Sequence, residues 1–243
     1  MKNVLKIFIM VFLIAALLAG CSGGIGQKGK AGVSVEEAQK NIESLISSSE
    51  YVTGNRENGE QYYGLRSDLF KEYDLKVGIK LDSETLVSYP VPFAILRTYK
   101  WKFVDEGLSG LILKPGASTN VKCEKDGKEF TAFLTNTTEN EIKCSDGVVT
   151  RVKFDLYSKE DNFKKQLKSA LDFTFGKNIN GSTNMKDVIK EIGKPSDISY
   201  SSESDKCTLI TVTYQNPSEG GCLSFGFTPD GAKMVSVDYS VQK

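Results

Sequence analysis

The chain has no histidine. This excludes His-based catalytic triads, metal sites built on imidazole, and the side chain that ordinarily titrates near neutral pH. Charge of one sign is not in excess, since Lys+Arg is 31 and Asp+Glu is 31. A strongly basic nucleic-acid surface is therefore missing, and no nucleic-acid partner is expected. Long hydrophobic runs are missing too. Ile7 to Ala19 is an unbroken apolar run of 13 residues, short of the roughly 20 that a spanning helix needs. There is no Cys-x-x-Cys, so zinc-ribbon and thioredoxin readings fail. The one Gly-x-Ser-x-Gly match, Gly20 to Gly24, lies between the apolar run and a Gly-rich stretch and not between a strand and a helix, and the only Ser-x-x-Lys is Ser240 to Lys243. Serine-hydrolase and penicillin-binding chemistry thus has no anchor. A nucleophilic cysteine needs a base, and no histidine supplies one. No catalytic set, metal site or cofactor is expected.

What is present begins with an address. Lys2 and Lys6 precede the apolar run, and small residues follow it. A basic start, a short apolar stretch and a small-residue cut site describe a secretory signal. Leu18-Ala19-Gly20-Cys21 resembles the bacterial lipoprotein lipobox. The resemblance implies cleavage before Cys21, acylation of its thiol, and a protein anchored by lipid on the extracytoplasmic side of the cell membrane. Residues 1–20 are then signal peptide, and 21–32 are the lipidated Cys and a Gly-rich tether. Gly24 to Gly29 matches GxGxxG, but no strand precedes it and no amphipathic helix starts in it, so it carries no dinucleotide reading.

Beyond the tether the pattern predicts an α+β fold of two similar units, 33–157 and 158–243, each with short helices packed on an antiparallel sheet. Ser34 and Glu37 form a capping box, and Val35, Ala38, Ile42, Leu45 and Ile46 recur at helical spacing, which predicts a helix over 35–48. Leu75, Val77, Ile79 and Leu81 alternate with polar residues and predict a half-buried strand. Phe93 to Thr98 predicts a short helix. Asp126-Gly127 and Asp146-Gly147 predict hairpin turns between extended runs. In the second unit Phe163, Leu167, Ala170 and Leu171 suggest a helix after Ser158. Thr183 is placed as the cap of a helix ended by Gly193 and Pro195. Strands are expected at 198–200, 207–214, 222–228 and 234–240. The halves align: Lys122-Cys123 and Lys206-Cys207 are 84 residues apart, as are Asp146-Gly147 and Asp230-Gly231.

The run Lys114-Pro115-Gly116, Lys125 to Lys128, Asn136-Thr137-Thr138 and Cys144 to Gly147 resembles a family of uncharacterised lipoproteins of Gram-positive bacteria. Phe173 to Gly176, Asp187-Val188-Ile189 and Gly193-Lys194-Pro195 extend that resemblance. The second unit also resembles the small repeat of β-lactamase-inhibitor-like and OmlA-type lipoproteins. These likenesses imply a helix-and-sheet fold. They transfer no catalytic residue, and the inhibitor family's contact residues are not matched.

Cys123, Cys144, Cys207 and Cys222 allow three disulfide connectivities, with buried free thiols as the simpler alternative. Tyr62, Tyr63, Tyr99 and Trp101 are the candidate ligand-binding residues, because exposed aromatics stack on sugars or anchor partners. Tyr62 and Tyr63 stand out, since neighbours on a strand point to opposite faces. The leading functional expectation is a non-enzymatic binding module for a protein or envelope glycan, held to the membrane through Cys21. The alternatives are a carboxylate-dependent glycan-acting enzyme of the cell envelope, with two acids roughly 5–9.5 Å apart, and a solute-binding lipoprotein.

Overall fold

The computed structural model describes residues 33–70, 79–81, 84–86, 90–160, 162–167, 171–173, 179–216 and 221–241. The predicted signal, Cys21, the tether, and the segment holding Leu75 and Val77 lie outside these residues. In chain order the elements are α1 (Val35–Glu43), β1 (Tyr51–Asn55), β2 (Gln61–Leu65), β3 (Ile79–Leu81), β4 (Glu84–Leu86), β5 (Val91–Pro92), α2 (Phe93–Thr98), β6 (Lys102–Phe103), β7 (Ile112–Leu113), β8 (Ser118–Lys125), β9 (Lys128–Thr135), β10 (Ile142–Lys143), β11 (Val148–Asp155), β12 (Leu171–Phe173), α3 (Met185–Ile192), β13 (Asp197–Glu203), β14 (Lys206–Asn216), β15 (Gly221–Phe227) and β16 (Met234–Val241).

The expected pair of helix-on-sheet units does not form. The described residues are mostly antiparallel sheet, with 45% of them strand and three α-helices among them. A single sheet runs β1-β2-β13-β14-β15-β16-β11-β9-β8-β6, with β5 added beside β11. The physical reason lies at its centre. The last strands of the two halves, β11 and β16, each have a second edge of unpaired N–H and C=O groups. They satisfy each other, with Val152 opposite Tyr239 and Phe154 opposite Val237. The seam where two sheets were expected is thus a ladder of hydrogen bonds.

Local corrections have equally local causes. Helix α1 starts as expected, with the Ser34 hydroxyl accepting from Glu37 N–H at 3.2 Å, but it ends at Glu43 because a serine-rich stretch follows. Helix α2 matches its predicted span. The cap of α3 is Asn184, whose side chain accepts from Asp187 N–H, rather than Thr183. Gly193 ends that helix at φ 108°, ψ −161°. No helix forms around Phe163. Asn162 and Phe163 have positive φ, Leu167 N–H bonds Leu156 C=O at 2.9 Å, and Leu171–Phe173 is strand. Asp126 and Gly127, at φ 52° and 73°, make the tight β8–β9 turn with Lys125 opposite Lys128. Asp146-Gly147 is not a hairpin: β10 pairs β7, and Cys144–Asp146 is a 3-10 turn leading into β11.

Alternation along the central strands separates the two sheet faces. Tyr63, Ile198, Tyr200, Val212, Tyr214, Leu223, Phe225, Val237, Val152 and Phe154 are buried on one of them. The helices cover that face, burying Ala38 and Ile42 of α1, Phe93 and Leu96 of α2, and Met185 and Val188 of α3 in the same apolar cluster. All four described cysteines are free thiols, with Cys123, Cys144 and Cys207 buried.

Candidate binding face

The opposite sheet face is built from the intervening positions. On β14 these are Thr211 and Thr213, on β15 Cys222 and Ser224, on β16 Ser236 and Asp238, on β11 Arg151 and Lys153. Cross-strand register sets them side by side. One row runs Asp197, Thr213, Ser224, Asp238, Lys153, Thr131, Lys122 across β13, β14, β15, β16, β11, β9 and β8. The Thr213 and Ser224 hydroxyls share a hydrogen bond of 3.0 Å. Among the described residues the helices turn their buried side chains into the other face, which leaves this one free of helical cover.

One charged and aromatic cluster lies at the β13 end of the row and another at its middle. At one end Tyr62 lies over two glycines of the β1–β2 ribbon. A Cβ at Gly54 would sit 3.0 Å from the Tyr62 ring and one at Gly64 3.3 Å, so the ring packs flat only because those side chains are missing. The Arg56 guanidinium sits 5.6 Å from the ring centroid. It donates to Glu60 at 3.0 Å and to Asp197 at 2.7 Å, while the Ser199 hydroxyl donates to Glu60 at 2.9 Å. Burial pushes the Asp197 carboxyl up, and Arg56 only partly counters this. Burial opposes the charge on Arg56, but Asp197 and Glu60 outweigh it and raise its pKa.

Midway along the row Arg151 lies 4.5 Å from the Phe133 ring centroid and grips Asp238 through two bonds of 2.7 and 2.5 Å. This fork geometry fixes the planes of both groups, and the hydrogen bonds to Asp238 raise the Arg151 pKa. Cys222 is nearby and half-buried, with its thiol pushed up by burial. The face therefore carries mutually paired acceptors and donors, rotatable hydroxyls and two ring planes.

The sequence candidates do not assemble into one site. Tyr62 is on the polar face. Tyr63, its neighbour, is 5% exposed on the apolar face, where its hydroxyl donates to Glu43 at 3.1 Å and its ring lies 6.5 Å from that of Tyr200. Tyr99 is 40% exposed at the end of α2. Trp101 is 2% exposed and meets Phe130 edge-on with centroids 5.0 Å apart, so it is core. Arg56, Asp197, Phe133, Arg151 and Asp238 were not singled out from sequence. The signal of the four charged residues was only that of polar positions alternating with core positions. Phe133 reads as core by default yet is half-buried under Arg151, and pairing across strands is not written in either strand alone.

A separate polar depression of about 400 Å3 beside α3 is lined by Asn180, Ser182, Thr183, Asp187, Lys190 and Glu191 together with Ile179. Among the described residues no group of three or more His, Cys, Asp or Glu is placed to hold a metal ion, and no helix is long and apolar enough to cross a membrane. No protein-family model matches the chain, and neither the curated proteins nor the solved structures contain a match to it.

Proposed function

We propose that this chain is a lipid-anchored extracytoplasmic lipoprotein that acts as a non-enzymatic binding module, and that its polar sheet face meets the partner. The observation that carries the reading is that face: a continuous, helix-free row of hydroxyl and ion-paired side chains between Tyr62 and Phe133. Its charges are already paired, so they orient hydrogen bonds rather than supply a net field. That favours a ligand read by shape and hydrogen bonding, such as a protein surface or an envelope glycan, over a strongly charged polymer. The lipobox-like Leu18 to Cys21 supports the anchor, and several acyl chains, each buried CH2 contributing about 0.8 kcal/mol, hold firmly where one would not.

The test is capture from intact cells by the Cys21-anchored chain, compared with Cys21→Ser and with Tyr62→Ala. A partner recovered by the anchored chain and lost with Tyr62→Ala supports the reading. Recovery of nothing above the Cys21→Ser control, or capture indifferent to the polar face, counts against it. Mass spectrometry of the membrane fraction checks the anchor directly, since an intact amino end with an unmodified Cys21 removes it.

A second reading, a glycan-acting enzyme using carboxylates, draws on Glu60 and Asp197. One holds its proton more tightly because of burial, and both touch the same guanidinium. Release of reducing ends from cell-wall glycan, lost on Asp197→Asn, would favour this reading over the first.

A further inference from the structure

The two edges of the long sheet are treated differently. One ends in β6, a strand of two residues beginning with Lys102, which is salt-bridged to Glu124 at 3.0 Å. A short, charged edge resists pairing with another chain. The other ends in β1, five residues with the sequence Tyr-Val-Thr-Gly-Asn. It has no charge, no proline and no bulge against β2. Val52 is 57% exposed there, the highest exposure among the described large apolar residues. A flat uncharged edge of this kind is a template for a further strand.

The backbone of β1 states how such a strand would bond. Arg56 N–H bonds Glu60 C=O at 2.8 Å, and Arg66 N–H bonds Glu50 C=O at 2.9 Å. Hydrogen-bonded pairs recur every second residue in an antiparallel ladder, so Val52 and Gly54 face β2, and Thr53 and Asn55 direct their backbone groups outward. Both are exposed.

We propose that β1 pairs antiparallel with β1 of a second copy of this chain, about a two-fold axis at Thr53, and that the sheet continues through the dimer. Three features select this occupant and this register. A dyad at Thr53 joins the two outward-facing Thr53 residues as a hydrogen-bonded pair, as the parity of the edge requires. It sets Glu50 against the partner's Arg56 and Arg56 against the partner's Glu50, so opposite charges face each other at the two ends of β1 and extend the ion pairs each already makes, Glu50 with Lys194 and Arg56 with Glu60 and Asp197. It also sets exposed Val52 opposite the partner's Gly54, the residue over which Tyr62 lies, so the most exposed apolar side chain meets an aromatic ring. Two five-residue edges cover less area than a standard interface of about 1,200–2,000 Å2, so the dimer is weak and depends on concentration.

The full-length chain in membranes of expressing cells is the material for the test. Thr53→Cys places two thiols across the dyad, within the reach of a disulfide. Copper-phenanthroline oxidation is expected to give at least tenfold more covalent dimer than either the unsubstituted chain or Lys102→Cys on the other edge. Val52→Lys, added to Thr53→Cys, is expected to reduce that dimer at least tenfold, since a lysine on an edge opposes strand pairing. Dimer no greater than in Lys102→Cys, or unchanged by Val52→Lys, overturns the proposal. Should Thr53→Cys fail to accumulate, sedimentation of the detergent-solubilised chain decides: a concentration-dependent dimer lost in Val52→Lys supports it, and a monomer at all concentrations overturns it. Because Tyr62 borders both surfaces, capture is also read in Val52→Lys, where dimer lost with capture kept, or dimer kept in the parent with no capture, lets either proposal fail alone.

Discussion

Replacing Trp101 with alanine separates a packing role from a binding role. The indole is 2% exposed. Its backbone N–H bonds Leu96 C=O at 3.1 Å, which holds the chain leaving α2 against the core. The ring meets Phe130 edge-on, and Phe130 in turn stacks on Phe154 at 5.8 Å. Full truncation of a buried tryptophan costs about 3–5 kcal/mol in lost transfer energy and cavity. Losing the aromatic pair belongs to the same change and adds up to about 1 kcal/mol where the site cannot collapse. For a domain of this size each kcal/mol lowers Tm by roughly 2–4 °C, so a fall of about 6–24 °C is expected. Denaturant and thermal melts of the full chain in detergent measure it. The chain has one tryptophan, so native emission reports this site alone and should be blue-shifted and poorly quenched by acrylamide. A Trp101→Ala protein that melts like the parent, or native emission quenched as readily as a free indole, would refute the placement of this ring in the core.

Three further outcomes follow from the geometry. Gly193→Ala should cost about 1–3 kcal/mol, because φ 108° with ψ −161° is a region nearly closed to residues with a Cβ; since nothing lies within 4 Å of the added atom, a denaturant melt reads backbone strain alone. Asp238→Asn should cost roughly 1–3 kcal/mol by leaving Arg151 half-buried and poorly paired; in an Arg151→Leu background the cost should shrink, and a double-mutant cycle with no coupling would show that the fork is idle. Burial raises the Cys207 thiol from 9.0 to about 11 and the Cys123 thiol from 9.0 to about 12. The unfolded chain loses those protons first, so stability should be complete below about pH 9 and fall as pH rises through 11 to 12; Cys207→Ala and Cys123→Ala should flatten that alkaline limb of the pH–stability curve.

Much of the local structure was legible in the residues themselves. Ser34 with Glu37, and the apolar spacing of Ala38 and Ile42, announce the start of α1 through short-range hydrogen bonding and helical period. Asp126-Gly127 announces a turn because a two-residue connection needs positive φ, and Gly193 with Pro195 announces the end of α3. The failures have a different character. Phe163, Leu167 and Leu171 have helical spacing, yet the chain there takes positive φ and then strand, because Leu167 finds its hydrogen bond on Leu156. Ser204 and Asp205 turn between β13 and β14 at φ 50° and 63° without a glycine to signal it.

The sequence by itself determined which residues seek burial, the turn at Asp126-Gly127, the absence of histidine chemistry, and the lipobox-like pattern that ends at Cys21. These depend on residue type and on neighbours a few positions away. Only the tertiary structure decided that β11 and β16 pair and make one sheet of what look like two, that Trp101 is core while Tyr62 is not, and that Arg151 and Asp238 meet across 87 residues. Such choices come from backbone groups on strand edges seeking partners far along the chain, and a strand's own residues do not encode which distant edge will be free.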